Sequence, residues 1–270
     1  MLDRLKQLLK TLSPIALAYS GGLDSRFLCH IASKCGCQIL CLHATGPQLY
    51  SETTKAAIAW LKAQGIYSRV VLFNPLALKD VRTGSRKRCY YCKRSLLESL
   101  QQDLVAHNEA HWTLIDGSNA SDAGSYRPGQ RALEELGIRS PLKEVGLTKD
   151  ALRSLAQTTG LSWPTQPATP CLLTRLAYGL APTEELLQRL GRCEDALYNL
   201  LKSSLGPDVN LRLRVTPTYV LQVESLPASL HQDVCSLLKT YSFWPCQLAQ
   251  GHDISGFFDK QNPDNDLPWL

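Results

Sequence analysis

The first half of the chain alternates short apolar runs with helical patterns, which limits the folds open to it. The apolar runs cover residues 14–20, 38–44, 67–73 and 112–117, and the helical patterns cover residues 25–34, 52–64 and 93–107. Strands separated by helices predict an α/β fold with a parallel sheet, right-handed crossovers and helices on both faces. Ligands of such sheets bind beyond the carboxyl ends of the strands. We therefore expect functional residues directly after the apolar runs.

A second, smaller domain is predicted in the last hundred residues. A helical pattern at residues 148–160 is followed by residues 162–170, which hold three prolines in nine residues and predict a linker or rigid loop. Beyond it, residues 183–202 predict a long helix, and residues 210–215 and 219–224 predict strands. We expect domains at residues 1–165 and 166–270.

Composition and charge narrow the class of protein. Hydrophobic residues make up 44% of the 270 and charged residues 20%, which excludes a disordered or fibrous chain. No apolar stretch approaches the roughly 18 residues of a membrane span, and no signal-peptide pattern is present, so we expect a cytoplasmic protein without a membrane partner. The net charge of +5 suits an anionic small molecule or RNA. Ten cysteines in such a chain indicate packed thiols, metal or cluster ligands, or catalytic thiols.

The strongest local pattern directly follows the first apolar run. It reads Ser20-Gly21-Gly22-Leu23-Asp24-Ser25 and opens a helical pattern. The two glycines let backbone N–H groups face an anion, and the helix N-terminus adds partial positive charge. Ser20 and Ser25 add hydroxyl donors. The pattern favours a pyrophosphate site over an ordinary glycine turn, and it lacks the lysine of the Walker-type loop.

A second polar segment follows the fourth apolar run and reads DGSNASD, residues 116–122. Asp116, Asn119 and Asp122 could hold Mg²⁺ or a nucleotide, and an Asx-rich turn is the alternative. The position after a strand of the same sheet favours the functional interpretation. Arg127, in the YRPG segment close behind, adds a guanidinium that could meet phosphate.

Three cysteines stand in unusual surroundings. Cys89 and Cys92 form a CxxC pair among basic residues, and Cys171 follows Pro170. A CxxC alone fits a redox pair or half of a zinc site, but no fourth ligand at zinc spacing is evident. Three thiolates suit an iron–sulfur cluster with one open iron, and the basic neighbours favour thiolates. A packed loop cysteine is the alternative for Cys171.

Arg212 and Arg214 alternate within a predicted strand, so both guanidiniums lie on one face. Two such groups can bind a phosphate monoester. On the sequence alone, a solvated strand face is the safer interpretation.

Taken together, these segments resemble the LarE family of ATP-dependent sulfur transferases. The matching segments are SGGLDS at 20–25, RCYYCK at 88–93, DGSNASD at 116–122, YRPG at 126–129, RSPL at 139–142, and PCLLTR at 170–175 with Tyr178-Gly179. Beyond residue 179 the resemblance thins to Arg212 and Arg214. It implies the PP-loop ATP pyrophosphatase (HUP-like) sheet, followed by a smaller C-terminal α/β domain for sulfur transfer and substrate.

The family makes the nickel-pincer cofactor of lactate racemase. The resemblance implies that ATP, with Mg²⁺, activates a carboxylate of a pyridinium dicarboxylate mononucleotide as an acyl adenylate, and that sulfur then displaces AMP. It implies a catalytic Asp24 and nucleotide contacts at both polar segments and at Ala44, which ends the second run. It implies substrate contacts from Arg175, Arg212 and Arg214. Family members can form hexamers, which makes a homo-oligomer an expectation.

The source of the sulfur divides the family. Some members sacrifice the sulfur of one cysteine, at the position that Cys171 matches, and others carry three cysteines and a [4Fe-4S] cluster. Because Cys89, Cys92 and Cys171 are all present, the sequence favours the cluster. Sacrifice of Cys171 stays open.

Two other functions compete with this interpretation. A PP-loop tRNA thiolase also activates an oxygen with ATP, but the chain has no basic run longer than residues 85–88, which does not favour a nucleic-acid partner. A non-catalytic sensor of adenine nucleotides belongs to a different class. Departures from the family at Leu173-Thr174 and after Arg214 leave another carboxylate or base open as the substrate.

Overall fold

The computed structural model describes residues 1–124, 128–251 and 256–258. These divide into two compact units. The first unit comprises Met1–Gly46, Ser51–Leu78 and Lys87–Ala168. The second comprises Pro47–Tyr50, Lys79–Arg86 and the described part of Thr169–Leu270. The domain boundary near residue 165 stays a prediction, and the sequence did not indicate that two short segments of the first half belong to the second unit.

The helices and strands follow the predicted alternation. In chain order they are α1 (Leu2–Leu12), β1 (Ile15–Ala18), α2 (Leu23–Lys34), β2 (Ile39–Thr45), α3 (Ser51–Ala63), β3 (Ser68–Leu72), α4 (Lys79–Arg82), α5 (Arg88–Ala106), β4 (Thr113–Ile115), α6 (Pro128–Glu135), α7 (Pro141–Glu144), α8 (Lys149–Thr158), α9 (Glu184–Leu205), β5 (Leu211–Val215), β6 (Tyr219–Val223), α10 (His231–Thr240) and β7 (Cys246–Gln250).

The sheet of the first unit has the order β3-β2-β1-β4, and all its strand pairs are parallel. Side chains of successive strand residues point to opposite faces. Ile15 and Leu17 of β1 therefore pack into one core with α1, α2 and α8, whereas Ala16 packs into another with Leu97 and Leu100 of α5. The α/β prediction of a parallel sheet flanked by helices is confirmed for this unit.

The strand order reverses at β1. The chain runs from β1 to β2 and β3 on one side, and then returns to place β4 on the other side of β1. The connections after β1 and β4 diverge in such a sheet and leave a crevice at the carboxyl ends of the two strands. The two polar segments predicted from the sequence follow these two strands.

The second unit contains a smaller sheet of order β5-β6-β7. The β5–β6 pair is antiparallel and the β6–β7 pair is parallel. The predicted long helix is α9, and the two predicted strands are β5 and β6. The sequence did not identify α10 or β7. Within the described ranges, no helix is long and apolar enough to cross a membrane.

Candidate active site

The loop after β1 has a backbone shape that requires glycine at position 21. Gly21 has φ +78°, and a Cβ atom there would lie 2.6 Å from the Cβ of Ala57 in α3. Gly22 caps α2, and its N–H donates to Ser20 Oγ at 3.3 Å. The Ser25 hydroxyl donates to the Gly22 carbonyl at 3.0 Å. The loop is thus held in a fixed shape at the N-terminus of a helix, the geometry that favours an anion.

Asp116, directly after β4, orders its own loop. One carboxylate oxygen accepts hydrogen bonds from Ser140 Oγ at 2.7 Å and the Ser118 N–H at 3.1 Å. The other accepts from Ser118 Oγ at 2.8 Å and Lys93 Nζ at 3.3 Å. Four donors occupy this buried carboxylate, so its role in this arrangement is to fix the loop. The predicted contact of Asp116 with the nucleotide stays a prediction.

The two loops meet around Asp24. A Cβ atom on Gly117 would lie 3.2 Å from the Ser25 nitrogen, so the β4 loop approaches the first turn of α2 closely. Asn119 Nδ2 lies 3.5 Å from one Asp24 carboxylate oxygen. Asp122 accepts a hydrogen bond from the Asn119 N–H at 3.1 Å and thereby holds Asn119 in place. The structure therefore brings Asp24, Ser25, Asn119 and Asp122 together at the crevice.

Lys149 completes this group, and the sequence analysis missed it. Its Nζ donates to the other Asp24 carboxylate oxygen at 2.6 Å, and its N–H donates to Ser121 Oγ at 2.9 Å. The two side chains are 27% and 25% exposed, so a ligand can reach both. Lys149 is the first residue of α8, after the N-cap Thr148. The helical pattern at residues 148–160 indicated where the helix starts, but no motif linked that start to a residue 125 positions earlier.

The proline-rich segment also contacts the β1 loop. Gln166 Nε2 donates to the Gly21 carbonyl at 3.2 Å, and Gln166 Oε1 accepts from Arg26 at 2.8 Å. The Arg26 guanidinium lies 5.0 Å from the ring centroid of Trp60, and burial lowers its pKa. Gln166, in the segment that the sequence predicted to be a linker or rigid loop, therefore helps to hold the loop after β1 in place.

Ala44 and Arg127 are the two remaining residues that were predicted to bind the nucleotide. Ala44 is half-buried near the carboxyl end of β2, and its predicted contact with the nucleotide stays a prediction. Arg127 lies outside the described residues.

The predicted cluster ligands occur in separate parts of the chain. Cys89 and Cys92 lie one turn apart at the start of α5, both half-buried, and Cys171 belongs to the second unit. Across residues 1–124, 128–251 and 256–258, no group of three or more His, Cys, Asp or Glu side chains could hold a metal ion. The fit of a cluster to these residues is therefore not shown, and the three-cysteine ligand set stays a prediction.

Within the second unit, a buried arginine orders the segment around Cys171. The Nε atom of Arg175 donates to Glu194 at 3.0 Å. One terminal nitrogen donates to the Pro170 carbonyl at 3.2 Å and to Thr174 Oγ1 at 2.9 Å. The other donates to Tyr50 Oη at 2.8 Å and to Glu194 at 3.0 Å. Because all five N–H donors have protein acceptors, Arg175 holds both flanks of Cys171. Its predicted contact with substrate stays a prediction.

Glu194 and Tyr50 are further residues that the sequence analysis missed. Glu194 is buried in α9 and also accepts hydrogen bonds from the Tyr50 hydroxyl and the Leu213 N–H. Burial alone would raise the pKa of Glu194, but the Arg175 charge and these hydrogen bonds lower it. Glu194 and Arg175 therefore form a buried ion pair whose polar atoms are hydrogen-bonded, and such a pair is costly to break.

Arg212 and Arg214 are both buried in β5. The interpretation of this strand face as solvated is therefore wrong. Arg214 donates to Gln222 Oε1 at 2.7 Å and to the Thr174 carbonyl at 2.9 Å. Burial, and then the charge of Arg175, lower the pKa of Arg212 to about 10 and that of Arg214 to about 9. Because these guanidiniums repel each other in a poorly solvated place, an anion bound beside them would be stabilised.

Comparison with known proteins gives three informative relatives. A Synechocystis sp. protein described as uncharacterized is 37% identical over 200 residues, which cover 74% of each chain. The pyridinium-3,5-bisthiocarboxylic acid mononucleotide synthase of Lactiplantibacillus plantarum is 26% identical over 71% of this chain and 70% of its own. A probable tRNA sulfurtransferase of Methanothermobacter thermautotrophicus is 23% identical over 56% of this chain and 41% of its own. No family model matches the chain.

The tight packing of the β1 loop can be tested with two glycine substitutions. Gly36 has φ +71°, and a Cβ atom there would meet nothing within 4 Å, whereas Gly21 has φ +78° and the Ala57 contact. Gly36→Ala should cost about 1–2 kcal/mol of unfolding free energy from backbone strain alone. Gly21→Ala should cost about 1–3 kcal/mol more because of overpacking. Urea denaturation measures both, and equal losses would contradict the close approach.

The buried ion pair predicts a particular pH dependence. Glu194→Gln should reduce the unfolding free energy at pH 7 by about 3–5 kcal/mol, because it leaves Arg175 buried without its charge partner. Since the pKa of Glu194 is lowered in the folded state, this stabilisation is complete above the ordinary pKa of about 4.3 and is lost as pH falls below it. The difference between wild type and variant should therefore shrink in acid.

Urea denaturation at pH 7 and at a series of lower pH values measures this difference. Glu144→Gln is the matched control, because Glu144 pairs with the exposed Arg139 and should contribute less than about 1 kcal/mol. A Glu194→Gln difference that is independent of pH would contradict the assignment.

Proposed function

Because the chain belongs to the LarE family of PP-loop sulfurtransferases, we propose that it adenylates a carboxylate of a pyridinium dicarboxylate mononucleotide with ATP and replaces an oxygen by sulfur. The family places the chain among sulfurtransferases, and the L. plantarum relative's name supports this substrate. In this proposal the first unit is a PP-loop ATP pyrophosphatase domain, and the second unit carries sulfur transfer and substrate binding. The product would enter biosynthesis of the nickel-pincer nucleotide that matures lactate racemase.

The observation that carries the proposal is the group at the crevice between β1 and β4. The close packing of Gly21 holds the loop that leads into α2 in a fixed shape. The ion pair between Asp24 and Lys149 lies at the first turn of α2. An ammonium and a helix N-terminus beside one carboxylate suit the triphosphate of ATP. Lys149 can exchange Asp24 for a phosphate oxygen when ATP binds.

The first half-reaction follows from this arrangement. A carboxylate oxygen of the substrate attacks the α-phosphorus of ATP, the bond to the bridging oxygen breaks, and pyrophosphate leaves. Negative charge grows on the departing pyrophosphate, where the loop N–H groups, Ser25 and Lys149 stabilise it. Asp24 is partly exposed and fits the one or two carboxylates that usually hold Mg²⁺ with substrate phosphates. When bound, Mg²⁺ would add charge neutralisation there.

The second half-reaction replaces AMP by sulfur. A sulfur nucleophile attacks the acyl carbon of the adenylate, AMP leaves with the electron pair of the broken carbon–oxygen bond, and a thiocarboxylate remains. A second round gives the bis-thiocarboxylate. Arg175 supports a role for Cys171 because it holds the residue before Cys171 and Thr174, three residues after it. If Cys171 donates its own sulfur, its thiolate first forms a thioester with the acyl group. A base then removes the Cα proton, the Cβ–S bond breaks, the thiocarboxylate leaves with that electron pair, and dehydroalanine remains.

The cluster remains the sequence-based proposal for the sulfur source. Cys89, Cys92 and Cys171 would hold three irons of a [4Fe-4S] cluster, with the fourth open to an exogenous ligand.

A tRNA substrate is the second candidate, favoured by the Methanothermobacter relative's name. It predicts binding of tRNA with a steep dependence on salt, because phosphate contacts release counterions. The small-molecule proposal predicts pyrophosphate release without RNA. Binding of ATP without any release of pyrophosphate would instead support a nucleotide sensor.

Adenylation depends on the crevice residues. Asp24→Ala and Ser25→Ala should abolish ATP-dependent pyrophosphate release while circular dichroism stays unchanged. Lys149→Ala should lower kcat by about 10²–10³-fold, as expected when one group that stabilises developing charge is removed. Asp150→Asn is the control, because the neighbouring Asp150 side chain is 96% exposed and should not affect turnover. Normal turnover of Asp24→Ala and Ser25→Ala would refute adenylation at this site.

Arg212 and Arg214 are proposed to hold the substrate's phosphate. Arg212→Ala and Arg214→Ala should each weaken substrate binding by about 1.5–3 kcal/mol, the range for a hydrogen bond to a charged group. ATP affinity should be unchanged. Isothermal titration calorimetry measures both, with the exposed Arg192→Ala as control. Equal losses for ATP and substrate would place these arginines in another role.

The sulfur source can be read from the mass of the protein after one turnover. Sacrifice of Cys171 leaves the chain lighter by one H₂S, and it predicts that Cys171→Ala is inactive while Cys89→Ala and Cys92→Ala are tolerated. A cluster predicts an unchanged mass, many turnovers, and loss of both iron–sulfur absorption and activity when any one of the three is replaced. An anaerobic visible spectrum with iron and sulfide counts provides the independent measurement.

A further inference from the structure

Cationic and aromatic side chains of the second unit form a ladder that ends on Arg214. The guanidinium of Arg86 lies 5.2 Å from the Tyr178 ring centroid, and Tyr178 lies 6.5 Å from Phe258 in an edge-on contact. Phe258 and Phe257 are 5.0 Å apart, with their planes at 89°. The guanidinium of Arg214 lies 5.2 Å from the Phe257 centroid and 5.9 Å from that of Phe258. None of these three rings has a role in the proposed reaction so far.

The backbone holds one end of this ladder rigidly. The Gly179 N–H donates to the Gly84 carbonyl at 2.9 Å, so the segments that carry Tyr178 and Arg86 are joined by a main-chain hydrogen bond. Gly84 has φ +62°, and a Cβ atom there would lie 2.4 Å from the Leu180 carbonyl oxygen. This approach leaves no room for a side chain. The main chain on either side of Tyr178 and Arg86 is therefore held in place.

The other end of the ladder is fixed by Arg214 itself. This residue is 3% exposed, and its guanidinium is oriented by Gln222 and the Thr174 carbonyl. The rings of Tyr178, Phe257 and Phe258 are only half-buried. A buried cation beside partly exposed π-faces combines two recognition elements: one for an anion, and one for a flat ring that carries positive charge.

We propose that Phe257 and Phe258, with Tyr178, bind the pyridinium ring of the substrate, beside the arginines that take its phosphate. This inference rests on the proposed function, whose phosphate site it extends to the base. A pyridinium ring is electron-poor and cationic, so the electron-rich faces of Phe and Tyr attract it. A mononucleotide joins such a ring to a phosphate through a ribose, and the second unit offers one element for each end.

The competing interpretation is that the two phenylalanines only cover Arg214. In that case, removing them would expose the guanidinium to every phosphate ligand, whether or not the ligand carries a ring. A ring-binding role affects only ligands with a ring. The comparison of two ligands that share ribose and phosphate therefore separates the two roles.

The experiment titrates the full-length protein with nicotinic acid mononucleotide and, separately, with ribose 5-phosphate, which lacks the ring. Phe257→Leu and Phe258→Leu keep apolar volume and remove the π-face. Each substitution should weaken the binding of nicotinic acid mononucleotide at least about fivefold, the lower end of base–aromatic stacking. The affinity for ribose 5-phosphate should be unchanged. Tyr198→Leu is the matched control, because Tyr198 forms a cation–aromatic pair with Lys202 at 5.4 Å that includes no residue of the ladder.

The remaining outcomes overturn the proposal in distinguishable ways. Tighter binding of both ligands to the leucine variants would assign the phenylalanines to a cover. Equal loss for both ligands, or no loss for either, would remove the ring contact while leaving the phosphate site in place. If wild type binds neither ligand, the phosphate site of the proposed function fails as well, and ATP-dependent pyrophosphate release then shows whether adenylation survives.

Discussion

The reversal of strand order at β1 is the constraint on which the candidate site of the first unit depends. Because β2 pairs with one edge of β1 and β4 with the other, the segments after β1 and β4 leave the sheet side by side. Gly21 can then pack against α3, and Asn119 can reach Asp24. Without β4 in that position, the second polar segment would be an ordinary surface turn.

The charged residues of the two units differ in how they are paired. In the first, Asp116 accepts hydrogen bonds from four donors, including Lys93, and Lys149 forms an ion pair with Asp24. In the second, Arg175 pairs with Glu194, while Arg212 and Arg214 are buried with lowered pKa values. Burying such a positive region is costly, and an anion bound beside these arginines would offset part of that cost.

The sequence predicted the strands and loops that are determined by patterns a few residues long. The four strands of the first sheet, the SGGLDS loop and the strand with Arg212 and Arg214 could all be predicted, because alternation and glycine turns are short-range properties. Lys149 and Glu194 could not, since their partners lie 125 and 19 residues away in sequence. Each is one charged residue on an ordinary amphipathic helix, and only the packing of that helix shows which partner it meets.

The second unit draws Pro47–Tyr50 and Lys79–Arg86 from within the first, and this matters during synthesis of the chain. Tyr50 precedes Glu194, its hydrogen-bond partner, by 144 residues. At roughly 5–20 residues per second, the ribosome makes the tyrosine about 7 to 30 seconds before the glutamate. The first sheet can form in that interval, while its two inserted segments wait for their partners. A gene fragment that stops at Ala168 would therefore encode a nascent chain with two permanently unmatched segments.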